Sequence, residues 1–187
     1  MLTTDTLRDE HNGVLVVLDH LDRAVGAAER GVPVPADIFA DIQEFFAVFV
    51  DRCHHAKEEQ VLFPALGTEG AALQHELEQQ HVRGRRLAGA YASAVAGFRP
   101  GDRVSTEPVA TSARRYTEFL RDHIDLETGE LFPLIEHNLS AGEDGNVIQA
   151  FERIEEEQIG PGTHERLHGM IAGLGPRIDA AIAAVGA

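Results

Sequence analysis

Two pairs of side chains open the chemical reading of this chain. His54 is followed four residues later by Glu58, and His123 four residues later by Glu127. At this spacing on a helix, an imidazole and a carboxylate lie about 40° apart around the axis and roughly 6 Å apart along it, so both can reach one object. Each pair runs on into Leu-Phe-Pro: HHAKEEQVLFP begins at 54 and HIDLETGELFP at 123. His11 and His81 fall on the apolar stripes of two other segments. Burying four imidazoles and two carboxylates unpaired would be costly, and cations remove that cost. Imidazole and carboxylate without a thiolate set suit Fe, Mn or Zn better than Ca or Mg. Two carboxylates from opposed helices can bridge a pair of cations, with two His terminating each. A solvent-derived (oxo or hydroxo) bridge would bring each ion to five ligands. The sixth position could then accept dioxygen, nitric oxide or peroxide.

Helices must position these groups. Leu7, His11, Val14, Leu18, Leu21, Val25 and Ala28 recur at steps of four and three, one apolar stripe on a long helix. Thr4 or Asp5 is a candidate cap for its start, and GVPVP at 31–35 ends it. A second helix is predicted from about Ala36 to the first Leu-Phe-Pro, and LGTEG at 66–70 is a turn. A third carries Leu77, His81, Gly84, Ala88, Tyr91, Val95 and Phe98, and RPGD at 99–102 breaks it. A fourth covers about 106–138. AGEDG at 141–145 reads as a turn, followed by an acidic helix near 146–158, the breaker GPG at 160–162 and a last helix over about 163–184. No segment alternates as a strand would.

The first and third stripes match at an offset of 70 residues, and the second and fourth helices at 69, so the core is a helical hairpin written twice. Short connections make successive helices antiparallel. The expected fold is all-α: an up-down four-helix bundle over 1–140 with a helical C-terminal extension over 141–187.

Composition bounds the partners. The 187 residues carry a formal charge of −15 and are 43% hydrophobic. Such an acidic globular chain is expected to bind neither nucleic acid nor an anionic membrane. No apolar run is long enough for a membrane span, and the start MLTTDTLRDEH has no secretory pattern. The single cysteine, Cys53, forms no internal disulfide, which fits a cytoplasmic setting.

Other features read as structural. Cys53, His20, His55, His75 and His137 are each taken as non-ligands. On a regular helix His20 points about 180° from His11, and His55 about 100° from His54, which places both outside. Leu-Phe-Pro reads as packing plus helix termination. Gly13 and Gly84 allow close helix approach, and Tyr116 packs in the core. Arg85 reads as a solvated residue at the edge of its stripe, or alternatively as a charge near the site. His164 and His168 have a metal-capable i, i+4 spacing; His164 reads as a helix-start residue packed against the bundle, with metal ligation or contact with a bound ligand as the alternative.

A lone His, HxxxE with Leu-Phe-Pro, a second lone His and a second HxxxE together resemble the hemerythrin-like (HHE cation-binding) domains of bacterial type over about residues 5–138. The resemblance implies a non-heme di-iron centre of two iron ions, with Mn or Zn as substitutes. It implies His11, His54, His81 and His123 as terminal ligands and Glu58 and Glu127 as bridges. Invertebrate oxygen carriers of this family have a further His four residues after the third-helix His, where this chain has Arg85. That departure turns the expectation from simple oxygen carriage towards handling of oxygen, nitric oxide, peroxide or iron. Three functions stay open: binding or sensing of a diatomic ligand, an enzyme that decomposes peroxide or oxidises iron(II), and an iron sensor.

Overall fold

The stripe of the first helix, α1 (Leu2–Glu29), becomes a buried face: Leu7, Val14, Leu18, Leu21 and Val25 are all buried. The computed structural model describes residues 1–185. α2 spans 36–65 and changes character along its length. Ala36–Phe45 is α-helical, Phe46–His55 and Glu58–Leu62 are π-helical, and Phe63–Ala65 closes it. α3 is Ala71–Ala96. α4 spans 103–138, with the π-helical stretch Glu127–Leu131 between Arg103–Leu126 and Phe132–Asn138. α5 (Ala141–Gln158) and α6 (Thr163–Ala183) follow. No strand occurs among the described residues.

α1 packs on α2 and α4, and α3 packs on the same two, which closes the expected antiparallel four-helix bundle. α5 and α6 cover its α1–α2 side. Their apolar residues join the bundle's two buried clusters. Leu167, Leu174 and Ile178 of α6 enter the one built on Phe39, Phe45 and Phe46. Val147 and Phe151 of α5 enter the one built on Phe63 and Phe132. The His/Glu layer lies between, with His11 stacked on Phe132 at 5.1 Å and His81 on Phe63 at 5.5 Å.

Three local expectations need correction. AGEDG is no turn: it forms the first turns of α5, where Ser140 and Glu143 make a reciprocal capping box. Neither Thr4 nor Asp5 caps α1. Asp144, from that same AGEDG stretch, accepts hydrogen bonds from the backbone N–H groups of Leu2 and Thr3, each at 3.0 Å. A carboxylate there satisfies orphan donors and favours the helix dipole. Leu-Phe-Pro departs from its expected role as well. Its Leu and Phe are buried in both copies. It terminates only the first, since α4 runs on to Asn138. In both copies the Phe N–H bonds five residues back, Phe63 to the Glu58 carbonyl and Phe132 to the Glu127 carbonyl. The next residue is the proline, which has no N–H to lose when the bonding register shifts. The motif therefore tolerates a π-turn beginning at each buried Glu, Glu58 and Glu127.

Candidate metal centre

Four helices each present imidazole or carboxylate groups to one buried layer. His11 comes from α1, His54, His55 and Glu58 from α2, His81 from α3, and His123 and Glu127 from α4. They form two clusters whose ligand atoms lie within 4.8 Å of one another: His11, His54, Glu58 and Glu127, and His55, Glu58, His81 and His123. Glu58 belongs to both, its carboxylate lying 3.5 Å from His54 Nε2 by one oxygen and 3.4 Å from His81 Nε2 by the other. Glu127 spans them too, 3.1 Å from His11 by Oε2 and 3.1 Å from His123 by Oε1. The six residues expected from the sequence are thus brought together.

The outward nitrogens are held by other side chains, which turns each Nε2 inward. Glu10 holds His54 Nδ1 at 2.7 Å, Glu59 holds His81 Nδ1 at 2.7 Å, and Gln80 holds His123 Nδ1 at 2.9 Å. Thr128 lies 3.4 Å from His11 Nδ1. Two of these groups are anchored further out. Arg85 bonds Glu59 at 2.8 Å and Asp51 at 2.6 Å, so it is neither free in solvent nor in the His/Glu layer. Lys57, fully buried, bonds Glu10 on one side and Glu155 of α5 on the other.

Charge follows from these contacts. Burial, the largest influence on His54, lowers its pKa, but Glu58 and Glu10 outweigh it and raise the ring to about 9. Burial likewise opposes His81, and Glu127, Glu58 and Glu59 together raise it to about 11. His123 is pushed down by burial. His55 is driven well below the imidazole range by burial and by the neighbouring His81 and His123 rings. Burial raises Glu127, and His123, His11 and His81 more than reverse it.

The fit to a metal rests on unsatisfied atoms. Among the described residues, both carboxylate oxygens of Glu58 and Glu127, Nε2 of His81 and His123, and both nitrogens of His55 are buried without a hydrogen-bond partner. Each such group costs about 1–3 kcal/mol if left unpaired. Cations between the clusters would engage these lone pairs, and the donor set suits iron, manganese or zinc.

His55 is the residue the sequence reading placed outside, and the structure corrects it. Its side chain is 3% exposed and stacks on His81 at 3.9 Å. The angular argument assumed an α-helix. The π-helix at Phe46–His55 has wider turns and turns the chain less per residue, so His54 and His55 both face inward. A signal existed in the repeat: the position matching His55 in the second copy is Ile124, a buried apolar residue. His20 lies outside the layer, against Gly175 of α6, and His75 and His137 are exposed. Cys53 is fully buried, and burial pushes its thiol up to about 12, as befits an inert packing residue. Tyr116 packs edge-on against Phe46 at 4.7 Å. At Gly84 a Cβ would meet Phe119 at 3.0 Å, so this glycine serves close approach of α3 and α4.

Fold and site define a class: an all-helical bundle with interior His/Glu clusters able to hold metal ions. Residues 2–135 match the hemerythrin HHE cation-binding domain, and the chain belongs to that family. Two similar curated proteins, an uncharacterized protein of Mycobacterium bovis and another of Mycobacterium tuberculosis, are each 26% identical over 128 residues. The aligned part is 67% of this chain and 50% of each relative, so the chain spans about half the length of the relatives it matches. No solved structure matches it. No helix among the described residues is long and apolar enough to cross a membrane.

Proposed function

We propose that this protein holds two iron ions between its clusters and uses them to bind or sense a small diatomic ligand, dioxygen or nitric oxide. Glu58 and Glu127 would bridge, His11 and His54 would serve one ion, and His55, His81 and His123 the other. The observation that carries this reading is the pair of four-residue clusters sharing Glu58, with inward lone pairs unsatisfied. Bound iron would supply a reversible one-electron redox change and a position for a small ligand. Two features favour a diatomic molecule over a larger substrate. The layer is sealed above and below by apolar clusters. The cleft that reaches His55, between α2 and α3, is only about 180 Å³ and is walled by Gly84, Ala88 and Tyr91.

Binding is favoured over peroxide turnover by the state of the acids. Apart from the two Glu in the ligand layer, the buried carboxylates among the described residues are Glu10 and Asp144. Glu10 is occupied by His54 and Lys57, and Asp144 caps α1. Neither is free to deliver protons to a bound peroxide. The deciding experiment is metal analysis of protein made under anaerobic, iron-replete conditions, then titration with oxygen, nitric oxide and hydrogen peroxide. Two irons per chain and a stable spectral change with oxygen or nitric oxide are expected. Catalytic loss of peroxide that disappears in Glu58→Ala would make it an enzyme instead, and a zinc-only or empty protein would end the iron reading.

A further inference from the structure

The first turns of α6 repeat, on the surface, an arrangement used inside the bundle. His164 and His168 stand one helical turn apart, and their Nε2 atoms are 2.9 Å from each other. In the interior layer the Nε2 atoms of His11 and His54 are 3.1 Å apart. His164 also has a carboxylate behind it: Glu155 lies 3.4 Å from its Nδ1, as Glu10 backs His54 and Glu59 backs His81. That contact turns the ring so that its other nitrogen faces His168. Both rings rest against buried Phe49, at 5.6 and 6.3 Å between centroids, which limits their rotamers.

We propose that His164 and His168 form a second, exchangeable binding site for a divalent transition-metal cation. Two imidazole nitrogens at about 2.0–2.1 Å from one ion stand roughly 3 Å apart, close to the observed separation. Imidazole selects the borderline cations, iron(II), nickel(II), copper(II) or zinc(II), over calcium and magnesium. With two protein ligands and water completing the sphere, the ion exchanges readily. The setting suits cation capture. The pair borders a cleft of about 190 Å³ between α1 and α6 that also presents Asp9, Glu10 and Glu155. On a chain of net charge −15, such a cleft concentrates cations. Glu10, at its inner wall, is the residue that holds His54.

The test is calorimetric titration of the 187-residue chain with nickel(II), after its interior clusters have been filled with metal. The expected result is one further nickel ion per chain, with affinity reduced at least about tenfold in His168→Ala and in His164→Ala. Interior metal content should stay at the wild-type ratio in both variants. His168 is exposed, so its variant carries the comparison even if His164→Ala folds poorly, and a circular-dichroism melt checks this. Wild-type nickel affinity in His168→Ala, or no nickel bound beyond the interior complement, would overturn the site and leave a simple N–H···N hydrogen bond between the rings. The interior reading stands or falls on metal content before nickel is added, so the two failures are separable.

Discussion

In the first hairpin the groups behind the clusters are charged, and in the second they are neutral. Glu10 and Gln80 occupy matching positions, each just before its lone His, and each holds the HxxxE imidazole of its own hairpin. Glu59 and Thr128 also match, and each reaches across to the lone His of the other hairpin. His55 corresponds to Ile124, and Lys57 to Leu126. A doubled hairpin is thus symmetric in its six paired His and Glu side chains and asymmetric in what stands beside and behind them. Each cluster gains one imidazole backed by a carboxylate, His54 in one and His81 in the other. Only the first hairpin carries the buried cation that ties the bundle to α5.

The largest expected effect breaks that tie. Lys57→Met would leave Glu10 buried beside one partner fewer and Glu155 partly exposed without its ammonium. A loss of about 3 kcal/mol in unfolding free energy is expected by urea denaturation. The matching change Leu126→Met should cost less than about 1.5 kcal/mol. Equal losses would mean that the two hairpins are equivalent here.

His55→Leu makes the first hairpin resemble the second. Metal content should fall from the proposed two ions towards one per chain. The metal-free protein should gain about 1 kcal/mol, because two unpartnered ring nitrogens leave the core. His11→Leu should lower metal content as well. Unchanged metal content in His55→Leu would remove His55 from the ligand set.

The carboxylate-backed rings predict a pH dependence for the metal-free protein. His54 and His81 have folded-state values of about 9 and about 11, above the ordinary 6.5. Their stabilising protonation is complete below 6.5 and is lost as pH rises through 9 and then 11. Melting temperature should therefore fall over that window, and metal-loaded protein should not follow. Metal uptake at pH 7.5 should release about two protons, one from each cluster, seen by calorimetry in buffers of different ionisation enthalpy. Glu59→Gln should move the decline assigned to His81 to lower pH, and an unmoved profile would refute the carboxylate's part in it.

The smallest effect concerns the prolines. Pro133→Ala restores an N–H inside a continuing helix and favours ordinary α-helical register next to Glu127. A few-fold loss of metal affinity is expected. Pro64→Ala should do less, since α2 ends at Ala65.

The bundle and six of the interior residues were readable from one dimension because both are periodic. Apolar stripes at helical spacing mark buried faces whatever they pack against, and a motif written twice with the same ligand types leaves few alternatives. Three things were not readable. His55 faces inward because the chain widens into a π-helix at Phe46–His55, and angles drawn on a regular helix point it outward. Asp144 caps α1 from a helix more than a hundred residues away, a partnership that local propensity cannot signal. Lys57, an apparently ordinary helix-surface lysine, is buried because α5 folds over it with Glu155. Residue types and their spacing determined which groups could share a cation. Contacts between distant segments, together with a change of helical register, decided which of them do share a layer and what holds each ring in place.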